Sequence, residues 1–460
     1  MKLLHRQPTV RWFTMPWLTT IQTQILFQFL LLGTSGIWNH THAQDPIQQS
    51  QLNEYRPGNG IQMQSAAGHS MRFSGFIQPS LTTTIQKGDT LSLTSHRFRM
   101  RRIRLRLEGQ AADPRFGYRF QTDLSGTGEE LDGNNTYLLD AVVYWEPTKN
   151  LKFHFGQRAP YTDNRELWMN SYSLQLVERS RLTSAFASIR EFGLFTEATV
   201  RLPGGLYLKP YLTLTNGDGP NVAGRDRGGY KWGGRIDVLP FGLFNSMGQF
   251  NQMDLVRERT PKLVIGAVYC YNTGISDRRG RESGSILYLD AMGRELLPDY
   301  ARIGVDFLFK YRGFSILGEW MKSGAKVPAN ITQRVRTDGS VSQEFLVNGV
   351  NDVDAYVRGR MMLGSALNLQ AGYVFKKHIS LDARYNRMNS DQFSFLNNGT
   401  FYNRPEYYTV GISRLSGRHY GAKRQADFTR IKNNGGINDN SGLPIEAQEW
   451  MIRTMVTYTF

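Results

Sequence analysis

Cysteine is almost absent from this chain of 460 residues: Cys270 stands alone, so no disulfide can form within it. Long apolar runs are missing too. Hydrophobic residues make up 40% of the sequence and the mean hydropathy is −0.43. Beyond the N-terminus nothing approaches the roughly 18 to 20 consecutive apolar residues of a membrane helix. Histidine is scarce and scattered: after residue 43 only His69, His96, His154, His378 and His419 remain, without metal-ligand spacing. There is no Gly-x-Ser-x-Gly and no phosphate-cradling Gly-x4-Gly-Lys-Ser/Thr. These absences point away from a disulfide-stapled fold, a helical membrane protein, a metal site and an enzyme. Low average hydropathy does not exclude a membrane barrel, whose strands hide their lipid face by alternation.

The N-terminus reads as an export leader, 1–43. Lys2, Arg6 and Arg11 precede an apolar core at Ile25–Leu32, and Thr41-His42-Ala43 offers a cleavage site; a start at Met15 gives a shorter leader. Cleavage removes three cations and no acid from a chain whose formal charge is +16. A periplasmic linker rich in Gln, Asn, Ser and Gly is expected over 44–68, and a single domain over 69–460.

What the chain has in quantity is Gly 46, Phe 26, Tyr 22 and Trp 8, and a period of two. Its sharpest instance is His96–Gly109, HRFRMRRIRLRLEG. From Arg102 onward, Ile103, Leu105 and Leu107 fall on one side of an extended strand, and Arg102, Arg104 and Arg106 on the other. In a soluble core three buried guanidinium groups would each need a partner. Between lipid and a wet lumen the same strand is at home. The phase slips near Arg101, since Phe98 and Met100 share parity with Arg102. The slip predicts a bulge, with Arg97, Arg99 and Arg101 at the outer rim beside lipid phosphates.

Alternating segments follow at 70–86, 97–109, 115–124, 137–145, 151–158, 190–202, 206–215, 229–239, 260–272, 299–311, 313–323, 365–376, 378–388, 405–415, 418–430 and 447–460. An all-β transmembrane antiparallel barrel of about sixteen strands is expected, since bacterial barrels have even strand numbers. Connections alternate in length as such a barrel requires. Short periplasmic turns include Pro203-Gly204-Gly205 and Arg312-Gly313; long extracellular loops include 125–135, 159–189, 273–298, 324–364 and 431–446. The exception is 240–259, an inner connection that is long.

The C-terminal strand ending in Phe460 resembles the signature by which outer-membrane barrels are recognised for insertion, and the arginine strand, Phe155-Gly156-Gln157-Arg158, Glu178-Arg179-Ser180, Tyr211–Gly219 and Pro261–Gly266 resemble the phosphate-selective porin O and P family. The resemblance implies a sixteen-stranded, usually trimeric channel in the outer membrane of a Gram-negative bacterium, with a basic constriction formed by an infolded loop. It would pass small anions, phosphate among them, without a cofactor.

An anion path needs fixed positive charge at short intervals. Same-face residues of a strand recur about every 6.6 to 7 Å, so Arg102, Arg104 and Arg106 form a ladder. Parity adds Arg119, Lys152 and Arg158 to the pore lining. The loop 159–189 is the expected constriction, with Arg165, Arg179 and Arg181 near the aperture. Parity also turns Glu108, Asp123, Asp140, Asp237 and Asp306 inward, so cross-strand pairs can cancel much of the field. A weakly selective general porin, or a barrel serving as an assembly or interaction component, are the alternatives. A nucleic-acid partner is not expected, because the cations alternate with lipid-suited residues over the whole chain.

Overall fold

The computed structural model describes residues 51–52, 57–87, 92–125, 138–220, 227–275, 287–336, 338–397, 404–417, 419–432 and 448–460. The expected leader and residues 44–50 of the expected linker lie outside this set, as do most of the outer connections 125–135 and 431–446.

Alternation becomes wall in sixteen strands. They are β1 Ser70–Lys87, β2 Ser92–Gln110, β3 Phe116–Asp123, β4 Leu138–Thr148, β5 Leu151–Arg158, β6 Glu191–Ala198, β7 Tyr207–Thr215 and β8 Lys231–Leu239. The second half comprises β9 Lys262–Asn272, β10 Asp299–Tyr311, β11 Phe314–Lys326, β12 Gly364–Val374, β13 Ile379–Ser390, β14 Glu406–Leu415, β15 Ala422–Lys432 and β16 Gln448–Thr459. Each pairs antiparallel with the next, and β16 returns to β1 from Gln448↔Lys87 to Thr459↔Phe76, which closes the barrel. Closure leaves no sheet edge in lipid. At the seam Phe460 and Gly75 exchange two backbone hydrogen bonds, each 2.9 Å, and the Phe460 ring lies 6.3 Å from that of Phe73. A Cβ on Gly75 would meet that ring at 2.6 Å, so the seam needs glycine there.

Polarity is inverted relative to a soluble protein. Arg302, Asp306, Lys310 and Gln425 are buried inside, while Val143, Phe155, Leu194, Leu212, Val305 and Val410 stand exposed outside. An apolar belt of this extent in water marks a surface meant for another phase. Aromatic rings flank it: Phe116, Trp145 and Phe153 stack at 6.5 and 5.7 Å near the short turns, and Trp232 lies against Tyr269 and Tyr271 near the long loops.

Two segments depart from expectation. Within the expected linker, Ile61–Gln64 pairs with Ser70–Phe73 of β1, and Gln51–Leu52 pairs with Gln64 and Met63. This short sheet takes up the edge of β1 beyond the end of β16, so part of 44–68 is ordered by backbone pairing that its polar composition did not reveal. The long inner connection 240–261 turns up into the lumen. There it meets the loop 159–190: Asn170 N–H donates to Phe250 O at 3.0 Å, and Gln175 N–H to the Gln252 side-chain oxygen Oε1 at 2.8 Å.

Candidate functional site

The site starts from the bulge in β2. Gln78 pairs with Arg102 but Pro79 pairs with Met100, so Arg101 is the extra residue. Proline has no N–H for the ladder, which suits a bulge. Because Arg101 and Arg102 both point inward, Arg99 and Arg101 before the bulge and Arg102, Arg104 and Arg106 after it share the lumen side. Phe98 and Met100 remain outside. The expectation that Arg99 and Arg101 lie at the outer rim is thereby corrected. The phase slip is the device that keeps one face cationic.

Three of these arginines bind a carboxylate on the infolded loop. Glu178 accepts from Arg99 Nη2 at 3.1 Å, Arg101 Nε at 2.5 Å and Arg102 Nη2 at 3.0 Å. Burial pushes the Glu178 carboxyl up, and the guanidinium groups of Arg101, Arg102 and Arg99 pull it further down, to well below the usual carboxylate range. Arg102 is fully buried in this clamp, where it also donates to the Gln78 carbonyl oxygen at 3.0 Å. It faces the lumen as parity required, but it anchors the loop and does not line the open space.

Two other expected aperture residues are likewise elsewhere. Arg165 donates to Asp306 at 2.7 Å and Asp237 at 2.8 Å, and Arg235 binds the same two carboxylates at 2.6 and 2.7 Å. Arg181 lies over the Tyr407 ring at 5.3 Å. Glu166 accepts from Arg384 at 2.8 Å, Gln252 at 2.9 Å, Ser180 N–H at 2.7 Å and Thr183 Oγ1 at 2.6 Å. Burial raises its pKa, but Arg384 and the Ser180 and Thr183 hydrogen bonds outweigh it, and the net shift is downward. Asp163 pairs with Arg302. Along β8–β15, then, the inward arginines are matched by carboxylates of the wall and the loop, Lys310 and Lys423 donate to loop backbone carbonyls, and the two loops fill that half of the lumen.

The other half holds a cavity of about 740 Å³ between β1–β7 and the two loops. Its lining contains nine basic side chains, Arg72, Arg104, Arg106, Arg119, Lys152, Arg158, Arg179, Arg190 and Lys209, against three carboxylates, Glu108, Asp140 and Glu197. Arg104 Nε donates to Asp123 at 2.9 Å and its Nη1 to Ser171 Oγ at 2.9 Å; Arg179 Nη1 reaches the same Ser171 Oγ at 3.1 Å. Wall and loop therefore meet at Ser171. Arg106 donates to the Gln121 carbonyl oxygen at 2.8 Å. Arg119, 43% exposed, stands 3.5 Å from Glu108. Lys152 pairs with Glu146 at 2.7 Å, and Arg158 lies 4.4 Å over the Tyr161 ring. Of the nine residues proposed from sequence, Arg104, Arg106, Arg119, Lys152, Arg158 and Arg179 are brought together here.

Arg72 and Arg190 also line the cavity without having been singled out. Arg72 shares a face with the inward side of β1, so parity could have found it. Arg190 sits just before β6, after Ile189 with φ of 69°, and donates to Asp140 at 2.7 Å. The alternating segment 190–202 reached it, but parity grouped it with Phe192 and Leu194 on the lipid side; the turn at Ile189 directs it inward instead.

Residues 82–196 match the family model described as phosphate-selective porin O and P. The matched segment runs from β1 to β6 and includes the arginine strand, the Glu178 clamp and the infolded loop. No curated protein matches the chain. Among solved structures, the outer membrane channel DcaP of Acinetobacter baumannii is similar at 12% identity and TM-score 0.47, over 86% of this chain and 99% of that one. OmpT of Vibrio cholerae, in its trimer form, is similar at 10% identity and TM-score 0.44, over 85% and 99%. A mutant porin of Rh. blastica is similar at 12% identity and TM-score 0.40, over 85% and 100%. The closed barrel and its apolar belt make this a β-barrel of the outer membrane, similar over residues 82–196 to that porin family.

Proposed function

We propose that the barrel is a channel for passive diffusion of small anions, phosphate-like anions among them, and that the cavity along β1–β7 is the constricted part of its aqueous path. The observation that carries this reading is the excess of nine basic groups over the three carboxylates that line the cavity and the two, Asp123 and Glu146, that pair with Arg104 and Lys152 from behind it. In a narrow space with low-dielectric walls, uncancelled charge concentrates counter-ions. Guanidinium groups spaced along a strand can pass an oxyanion from one pair of donors to the next.

Arg104, Arg106, Arg119, Lys152 and Arg158 are assigned to the wall of this path and Arg179 to its loop side, with Arg102 and Arg165 holding the loop in place. The homotrimer implied by the family resemblance belongs to the same proposal, and the apolar belt is assigned to outer-membrane lipid. The test is conductance of the purified protein in a planar bilayer in KCl, with phosphate added. Discrete channels whose chloride current falls as phosphate competes are expected. A protein that inserts and conducts nothing would sink the channel reading and favour an assembly or interaction role, for which the filled half of the lumen is the relevant feature.

A further inference from the structure

Two of the cavity cations rest on aromatic rings. Arg158 lies 4.4 Å over Tyr161 and 5.5 Å over Phe195, and Lys152 lies 4.4 Å over Tyr144. A ring holds a cation by its quadrupole without neutralising it, so the Arg158 charge stays available to a solute, while Lys152 is shared with Glu146 at 2.7 Å. The two loops add Trp168, which packs against Tyr161 and Tyr211, together with Met247 and Phe250, to the cavity lining. Met247 is 69% exposed. An inorganic anion gains nothing from such a surface, and water against it is unfavourable. A solute with an anionic group on one side and a flat apolar body on the other satisfies both faces, and about 740 Å³ accommodates one.

We propose that the cavity binds aromatic anions, a ring bearing one carboxylate or phosphate, in preference to inorganic or aliphatic anions of the same charge. The anionic group meets Arg106, Lys152 and Arg158, and the ring lies against Trp168, Met247 and Phe250. This rests on the reading of the cavity as an anion path.

The test uses the full mature protein in planar bilayers, with two matched pairs of blockers, benzoate against acetate and phenyl phosphate against inorganic phosphate. In each pair the ring-bearing anion is expected to halve the chloride current at about a tenfold lower concentration, the gain from covering roughly 60 Å² of apolar surface. Benzylammonium, with the ring and the opposite charge, is expected not to block. In the double variant Met247→Ser, Phe250→Ser the members of each pair converge. Should that variant not insert, the wild-type pairs decide alone. Equal potency within the pairs, or block by benzylammonium, overturns the proposal while an anion-selective reversal potential leaves the channel reading standing. Loss of anion selectivity itself would remove both.

Discussion

Among the ties that hold the loop 159–190 to the wall is one carboxylate facing three guanidinium groups of β2, and Glu178→Gln removes its charge while keeping its shape. Arg102 is fully exposed to nothing but protein and Arg101 nearly so, at 0% and 2% accessibility. Breaking a buried pair by neutralising one partner typically costs about 3 to 5 kcal/mol, because the other charge is left uncompensated. The glutamine oxygen can still accept one of the three hydrogen bonds, which offsets about 1 to 2 kcal/mol. A net loss of about 3 kcal/mol is expected, a shift of roughly a hundredfold in the docking equilibrium of the loop. Single-channel recording reads it as larger, fluctuating conductance in place of one steady level. Heat-dependent electrophoretic mobility reads it as unfolding at a lower temperature. Steady wild-type conductance together with an unshifted transition in Glu178→Gln would refute the clamp.

Other consequences follow from the same geometry. Glu178 is shifted downward, so its contribution is fully present above the ordinary glutamate value of about 4.3 and is lost only as pH falls through its lower folded value; recordings at pH 5 and pH 7 should show the same steady level. Arg158→Gln with Arg106→Gln removes two cations from the cavity wall and should lower the anion-to-cation permeability ratio severalfold, whereas Arg165→Gln, outside the cavity, should instead lower the unfolding temperature. Gln252→Ala unties the junction of the two inner loops, where its amide bonds the Gln175 N–H, Glu166 and Gln370. Unmet buried hydrogen bonds of that kind cost about 1 to 3 kcal/mol, measurable as loss of heat resistance. Gly75→Val drives a side chain into the Phe460 ring and should reduce the folded fraction recovered on refolding, as read by the heat-modifiable band.

The wall was legible because a barrel strand carries its whole environment in a period of two: all sixteen segments appeared as strands within a few residues. Connection lengths were legible for the same reason, down to the anomaly at 240–259. What that anomaly meant was not, because folding into the lumen depends on contacts such as Gln252 with Gln175 that join residues far apart in sequence. Parity also said which cations face inward but not which of them remain free to act. Arg102 and Arg104 share a face, yet Arg102 is held by the loop carboxylate Glu178 while Arg104, bonded to Asp123 and Ser171, lines the cavity. Arg99 and Arg101 were misplaced because a bulge was recognised but the side to which it turned its extra residue depended on Pro79 in the neighbouring strand.

The central claim is that uncancelled positive charge in the open half of the lumen makes the channel prefer anions. The reversal potential of the wild-type protein across a KCl gradient tests it most directly. The account predicts a potential of the sign set by chloride, shrinking as salt rises and screening shortens the reach of the field. A potential of the sign set by potassium, or none at all, would contradict it.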